Sequence, residues 1–355
     1  MTRRFLLRLL STVGLSAVTG ASAGSASSDG CNSYYCGPTS DHFDGRVFFN
    51  PGRPWTKSFG DLVRWRLSEG KEEWPESRPS PFRDKPPVRV AGSALRVAHV
   101  GHASLLYQTA GLNILVDPVW SERASPVPFA GPKRVNAPGI DFEDLPKIDV
   151  VLVTHNHYDH LDVETLARLW ATHRPRIVTP LGNDAIMRNA VPGLEAEPHD
   201  WGAAVRLGAG VTVHLEECLH WSARGLFDRR EALWAAFMIE TAGGTIVHVG
   251  DTGFGDGSLF RQWARKHTRI RLAVLPIGAY EPRWFMQEQH VNPDEAVRIA
   301  QILRAPTALG HHWGTFRLTD EGIDRPPEAL AEARRGHGLA ERRFIPLHPG
   351  QVWQG

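Results

Sequence analysis

The densest chemistry in the chain is one six-residue run, His155-Asn156-His157-Tyr158-Asp159-His160. Three imidazoles and a carboxylate so close together can converge on a cation from a short arc. Imidazole with carboxylate suits zinc, and also iron or manganese. Lone histidines are usually structural, whereas a cluster this dense implies a metal site. One loop cannot close two coordination spheres, so further ligands must come from elsewhere. His220 follows the strand-like run Val211–Leu215. Asp251 follows Thr245–Gly250, where Gly250 and Gly253 on either side leave room for close backbone approach. Ala308-Leu309-Gly310 runs into His311-His312-Trp313-Gly314.

The elements that must position these groups are legible around them. Ile148–Val153 is a continuous apolar, β-branched run that reads as a buried strand, and the metal-capable run leaves its end. Asp162 then reads as the cap of a helix opening at Val163. Every candidate ligand stands at the exit of a strand, which is where an α/β site is assembled. A faint repeat supports two similar halves. Tyr107-Gln108-Thr109-Ala110-Gly111 leads into a strand and then Asp117, while Ile239-Glu240-Thr241-Ala242-Gly243 leads into another and then Asp251. Each half reads as a hairpin turning at Ala-Gly and ending at an acid. Asp117 and Asp162 are candidates to hold ligand imidazoles in one tautomer.

The chain as a whole sets wider bounds. With 355 residues, 42% of them hydrophobic, it can bury one large core or two small ones. Its formal net charge is +1 and its basic residues are dispersed, which argues against a nucleic-acid partner. Arg3-Arg4, the mainly apolar Phe5–Gly20 and Ala21-Ser22-Ala23 form an export signal over residues 1–23, with a twin-arginine character. Arg8 interrupts the apolar run, so a lasting membrane span, which needs roughly 20 apolar residues, is not expected. Export places the protein in the periplasm or cell envelope.

Residues 24–40 read as a linker, 41–90 as an aromatic-rich extension packing on the core, and 91–355 as the domain that carries the candidate metal site. Cys31 and Cys36 can pair in an oxidising compartment. Cys31 as a lipid-bearing residue is the alternative, although Ser28-Asp29-Gly30 lacks the expected apolar residue. Cys218 reads as a small buried apolar residue. Ser58–Leu67 has helical spacing of Phe59, Leu62, Val63 and Leu67, with Trp55, Trp65 and Trp74 nearby. That stripe either packs on the core or faces lipid.

The hexapeptide resembles the motif of metallo-β-lactamase-fold hydrolases. Further blocks, Ser121–Pro126, Phe129–Arg134, Gly225–Asp228, Pro276–Met286 and His312–Phe316, are similar to the N-acylphosphatidylethanolamine-hydrolysing phospholipase D branch and its bacterial relatives. The resemblance covers approximately residues 41–350. It implies an αββα sandwich with a dinuclear zinc site at one edge, other divalent transition metals being alternatives. By position, His155, His157 and His220 would hold one zinc, Asp159, His160 and His312 the other, and Asp251 would bridge them. His290, in Gln289-His290-Val291-Asn292-Pro293, matches a histidine near the substrate phosphate. His311 stands immediately before the expected ligand His312.

The implied reaction is hydrolysis of a phosphodiester by attack of a metal-bridging hydroxide on phosphorus, with Asp159, Asp251 and His290 as catalytic residues. The partners are then a phospholipid or other small-molecule substrate and a membrane surface. A dinuclear site does not itself choose between phosphorus and carbonyl carbon, so a lactonase or other carbonyl hydrolase is the alternative. A non-catalytic envelope binding protein with a vestigial site is the third reading, and the seven candidate ligands speak against it.

Overall fold

The structure, a computed structural model, describes residues 30–53 and 56–355. The export segment and Trp55 lie outside the described residues. Two seven-stranded sheets face each other. The first is built from β1 (Leu95–Gly101), β2 (Ser104–Thr109), β3 (Leu112–Val116), β4 (Val150–Leu152), β5 (Arg176–Pro180) and β6 (Glu197–His199). The second holds β7 (Ala204–Gly208), β8 (Val211–Glu216), β9 (Ala236–Thr241), β10 (Gly244–His248), β11 (Ile270–Pro276), β12 (Ala308–His311) and β13 (Phe344–Pro346). The last strand, β14 (Val352–Gln354), returns to the first sheet beside β1.

Period-two alternation explains why these runs form a sandwich. In β3, Ile114 and Val116 face the layer between the sheets and Leu115 faces outward; in β4, Val150 and Leu152 face inward and Val151 outward. Phe237 and Ile239 of β9 close the same inner layer from the other sheet, while Ala236 and Met238 point away. Both faces of each central strand are thus buried, which is why their sequences read as unbroken apolar runs.

Helices cover the outer faces. On the first sheet lie α2 (Val163–His173) and α3 (Asn183–Ala190), with Leu166 and Leu169 of α2 against Leu115, Val151 and Val153. On the second lie α4 (Ser258–Lys266), α6 (Pro293–Ile302) and α7 (Arg325–Gly336), which bury Phe260, Trp263, Val297, Ile299 and Leu330. The order is therefore α/β/β/α, as expected.

The two repeated segments are the hairpins β2–β3 and β9–β10, pairing Thr109 with Leu112 and Thr241 with Gly244 across two-residue turns. Each occupies the equivalent place in its own sheet, and beyond each the strands run parallel. The run 148–153 is shorter as a strand than its apolar pattern, because the chain leaves the ladder early. Thr154 donates its N–H to Asp117 Oδ1 at 2.7 Å instead of to a strand neighbour. That turn aims the following histidines away from the sheet.

The segment before the sheets lies against them. Phe43 and Phe48 are buried in the core cluster on the outer side of the second sheet, and Tyr35 packs edge-on to Phe43 at 5.1 Å. Cys31 and Cys36 form a disulfide, and Cys218 is buried and free. α1 (Phe59–Leu67) is capped by Ser58 in a capping box with Asp61. Its apolar stripe divides. Leu62 and Trp65 pack on Phe285 and Met286 of the short α5 (Arg283–Met286), whereas Val63 is 39% and Leu67 75% exposed. Among the described residues, no helix is long and apolar enough to cross a membrane.

Candidate metal centre

The strands that carry candidate ligands all point their C-terminal ends to one edge of the sandwich. β10 and β12 share a direction through β11, and β8 joins them because both it and β10 run antiparallel to β9. His220, Asp251 and His312 leave these ends, and the run 155–160 leaves β4 in the facing sheet. Two residues make the approach sterically feasible. A Cβ on Gly250 would lie 2.6 Å from Thr154 Oγ1, and one on Gly278 would lie 2.2 Å from the His312 carbonyl.

Two groups of four side chains result, His155, His157, His220 and Asp251, and His102, Asp159, His160 and His312, each with its donor atoms within 4.8 Å of one another. Asp251 stands between them. Its Oδ2 is 3.5 Å from His220 Nε2, 3.8 Å from His155 Nε2 and 3.3 Å from His160 Nε2. Its Oδ1 is 3.1 Å from His312 Nε2. Asp159 Oδ2 lies 3.2 Å from His312 Nε2 and 3.4 Å from His160 Nε2. These separations bracket the edge of a tetrahedron of zinc ligands, about 3.3 Å for metal–nitrogen bonds near 2.0 Å.

Hydrogen bonding at the rear decides what faces the middle. His160 Nδ1 donates to Asp117 Oδ2 at 2.7 Å, and Asp117 also accepts from the hydroxyl and N–H of Thr154. His220 Nδ1 donates to the Gln289 carbonyl at 3.1 Å. In a neutral ring the opposite nitrogen then presents a lone pair. The His160 Nε2 lone pair meets His312 Nε2 at 3.1 Å, and that of His220 faces a carboxylate. Ring nitrogens and carboxylate oxygens this close need positive charge among them, which protons on His160 and His312 supply without metal and a metal ion would supply in their place, so the residues fit the metal that the motif implies.

Charge follows the same logic. Burial pushes Asp159 and Asp251 upward, yet the surrounding imidazoles outweigh it and hold both well below the usual carboxylate range. Burial depresses His155 and His220 far below the ordinary imidazole value, with neighbouring imidazoles adding to the effect for His155. For His312 burial is overcome by Asp251 and Asp159, which raise it to about 9. His290 is lowered to about 4 by burial, so its ring is neutral near pH 7. Its Nδ1 sits 3.9 Å from Asp251 Oδ1, beside rather than within the two groups of four.

His311 belongs to neither group. It is buried, its Nε2 donates to the Val249 carbonyl at 2.7 Å, and its ring stacks on His248. Asp162 caps α2 by accepting from Glu164 and Thr165, and its other oxygen accepts from the N–H groups of Trp120 and Ser121. It touches no ligand imidazole, so of the two acids considered for that task only Asp117 performs it. Sequence reasoning missed His102, whose Nε2 is 2.9 Å from Asp159 Oδ2. The sign was there, a histidine following Gly101 at the end of β1. It passed unseen because β1 turns straight into an antiparallel neighbour, where a polar turn residue is ordinary.

Above this centre opens a cavity of about 680 Å3 with His157, Asp159, Asp251 and His290 on its floor. Leu62, Trp65, Phe285 and Met286 form one wall, and Leu226 and Phe227 stand at its rim, 91% and 89% exposed. A larger, acid-lined cleft of about 850 Å3 beside α6 and α7 reaches none of the proposed metal ligands.

Residues 112–313 match the Beta-lactamase superfamily domain. The chain is a metal-dependent hydrolase of the beta-lactamase superfamily. Within that superfamily the hydrolase falls in the N-acylphosphatidylethanolamine-hydrolysing phospholipase D branch. It is 36% identical over 273 residues to N-acyl-phosphatidylethanolamine-hydrolyzing phospholipase D 1 of Caenorhabditis elegans, covering 74% of this chain and 76% of that one. An uncharacterised protein of Mycobacterium tuberculosis is 34% identical over 295 residues, 82% of this chain and 77% of its own. Among solved structures, a metallo hydrolase of the archaeon Ignicoccus hospitalis superposes with a TM-score of 0.54 at 18% identity, over 74% of this hydrolase and 98% of that protein. At that identity the likeness concerns the fold.

Proposed function

We propose that this hydrolase is a dinuclear zinc phosphodiesterase of phospholipase D type, acting on N-acylphosphatidylethanolamine-like phospholipids at a membrane surface in the cell envelope. The observation that carries the reading is the pair of adjoining ligand groups with Asp251, a member of one, also within 3.3 Å of His160 and 3.1 Å of His312 in the other, beneath an apolar cavity. His155, His157 and His220 hold one ion, Asp159, His160 and His312 the other, and Asp251 both. Two such cations lower the pKa of bound water and neutralise charge gathering on a phosphoryl oxygen. Zinc matches the imidazole-rich donor set, and another divalent transition metal would serve the same geometry.

The protein's own groups do the rest. His290, neutral and on the cavity floor, is placed to donate a hydrogen bond to a phosphoryl or leaving oxygen. Leu62, Trp65, Phe285 and Met286 offer acyl chains a dry wall, while Arg66 and Arg229 bring positive charge to the same cavity. Leu226 and Phe227 at the rim provide apolar contact with the lipid surface. Export by the twin-arginine route, read from residues 1–23, would deliver the folded, metal-loaded protein to that location.

The test is metal content of the purified protein together with turnover on panels of phosphodiesters and lactones, with lipid products identified by mass spectrometry. About two metal ions per chain and release of phosphatidic acid support the proposal. Lactone opening without phosphodiester cleavage, or bound metal without turnover on either panel, refutes it.

A further inference from the structure

The motif Gly225-Leu226-Phe227-Asp228 has no donor atom in the metal centre, yet it is tied to the ligand loop through the residue before it. Arg224 directs one guanidinium nitrogen, Nη1, to two main-chain carbonyls, Asn156 O at 2.9 Å and Leu161 O at 2.7 Å. These two carbonyls bracket His157, Asp159 and His160. The guanidinium carbon lies 3.9 Å from the centre of the Tyr158 ring, and Tyr158 returns its hydroxyl to the Arg224 carbonyl at 3.1 Å. The clamp thus grips the loop at both ends and in the middle.

Arg224 is itself fixed from behind. Its N–H and that of Gly225 donate to the buried Asp228 carboxylate, at 3.1 and 2.8 Å for the shorter contacts. Tyr34, inside the loop closed by Cys31 and Cys36, donates its hydroxyl to the same carboxylate at 2.7 Å. A guanidinium suits this task better than an ammonium, because it is planar, stacks on an aromatic face and presents its donors in fixed directions. Two carbonyls sharing one nitrogen set the span of the ligand loop, so a change in loop curvature breaks at least one charge-assisted bond.

We propose that Arg224 is a positioning residue for the metal centre, holding residues 156–161 in the shape that ligates metal and thereby slowing metal loss. The inference rests on the metal reading of the preceding section. It is tested on the zinc-loaded, full-length mature protein by following zinc transfer to an excess of a chromogenic chelator, and by melting the protein with and without zinc. Arg224→Met is expected to release zinc about 10- to 100-fold faster, the range for losing a group that orients a ligand. The metal-free melting temperature should fall, because the Asn156 and Leu161 carbonyls lose their donor, but zinc should raise it by less in Arg224→Met than in the wild type, and Arg224→Lys should fall between the two in release rate.

Equal release rates for wild type and Arg224→Met overturn the inference while leaving the metal reading intact. A wild-type protein that binds no zinc overturns both. Should Arg224→Met not fold, Arg224→Gln, whose amide is too short to reach both carbonyls, takes its place with the same two outcomes.

Discussion

Asp117→Asn is the substitution whose consequences the geometry defines best. The carboxylate is buried, and both of its oxygens accept: Oδ1 from the Thr154 N–H at 2.7 Å, Oδ2 from the Thr154 hydroxyl and from His160 Nδ1, each at 2.7 Å. Asparagine has one oxygen and one NH2 group in the same space. If the NH2 group faces His160, two donors meet unless the ring moves its proton to Nε2, the atom that must offer a lone pair to the metal. If the amide is turned round, the NH2 group meets the Thr154 N–H instead. Either way a buried donor loses its acceptor, at about 1–3 kcal/mol in the metal-free protein.

In the first orientation, metal affinity falls by about 10- to 100-fold, or roughly 1.4–2.8 kcal/mol. The loss should concentrate on the ion that Asp159, His160 and His312 are proposed to hold. The other ion is affected less, through Thr154, whose hydroxyl is also 3.0 Å from His155 Nδ1. Dialysis against buffered free zinc, followed by zinc analysis, should show one site near wild-type affinity and one weakened. Two sites of unchanged affinity, or two weakened equally, would refute the tautomer argument.

Three further outcomes are expected. His312→Ala should lose metal, whereas His311→Ala should keep it and lose about 2–4 kcal/mol of stability from a buried ring and its hydrogen bond; metal analysis and melting on both variants check the register. Changing Leu226 and Phe227 together to Ser should leave melting and turnover of a soluble phosphodiester unchanged. On vesicles it should weaken activity roughly 5- to 150-fold, for about 1–3 kcal/mol of half-buried apolar contact. His42 is raised above its ordinary value mainly by its hydrogen bond to Asp200, burial opposing and Asp41 adding. Its contribution to stability is therefore complete below about pH 6.5 and is lost as pH rises through the higher folded value. Asp200→Asn should flatten that part of the melting-temperature profile, and an unchanged slope would exclude His42 as its source.

What the sequence determined by itself was the kind of site and the layers around it. His155–His160 announces a metal because four donor groups in six residues have few other uses. Apolar runs such as 148–153 announce buried strands because both faces of a central strand are covered. Short-range rules were enough for the Asp162 cap and for the two Ala-Gly hairpins, since their partners lie a few residues away.

Tertiary structure decided the rest. Residue type alone does not tell which ring of His311-His312 turns to the metal; the family resemblance favoured His312, and the physical reason lies at the end of β12, where His311 is taken up by the Val249 carbonyl and His312 swings toward Asp251. The stripe on α1 could not be apportioned until Phe285 and Met286, more than two hundred residues away, were seen to cover Leu62 and Trp65 but not Leu67. His102 and Arg224 were invisible for the same reason. Each acts on the ligand loop across a gap in sequence that the fold closes, His102 from the end of β1 in the loop's own sheet and Arg224 from beyond β8 in the facing one, and a pattern of neighbours along the chain carries no record of neighbours across it.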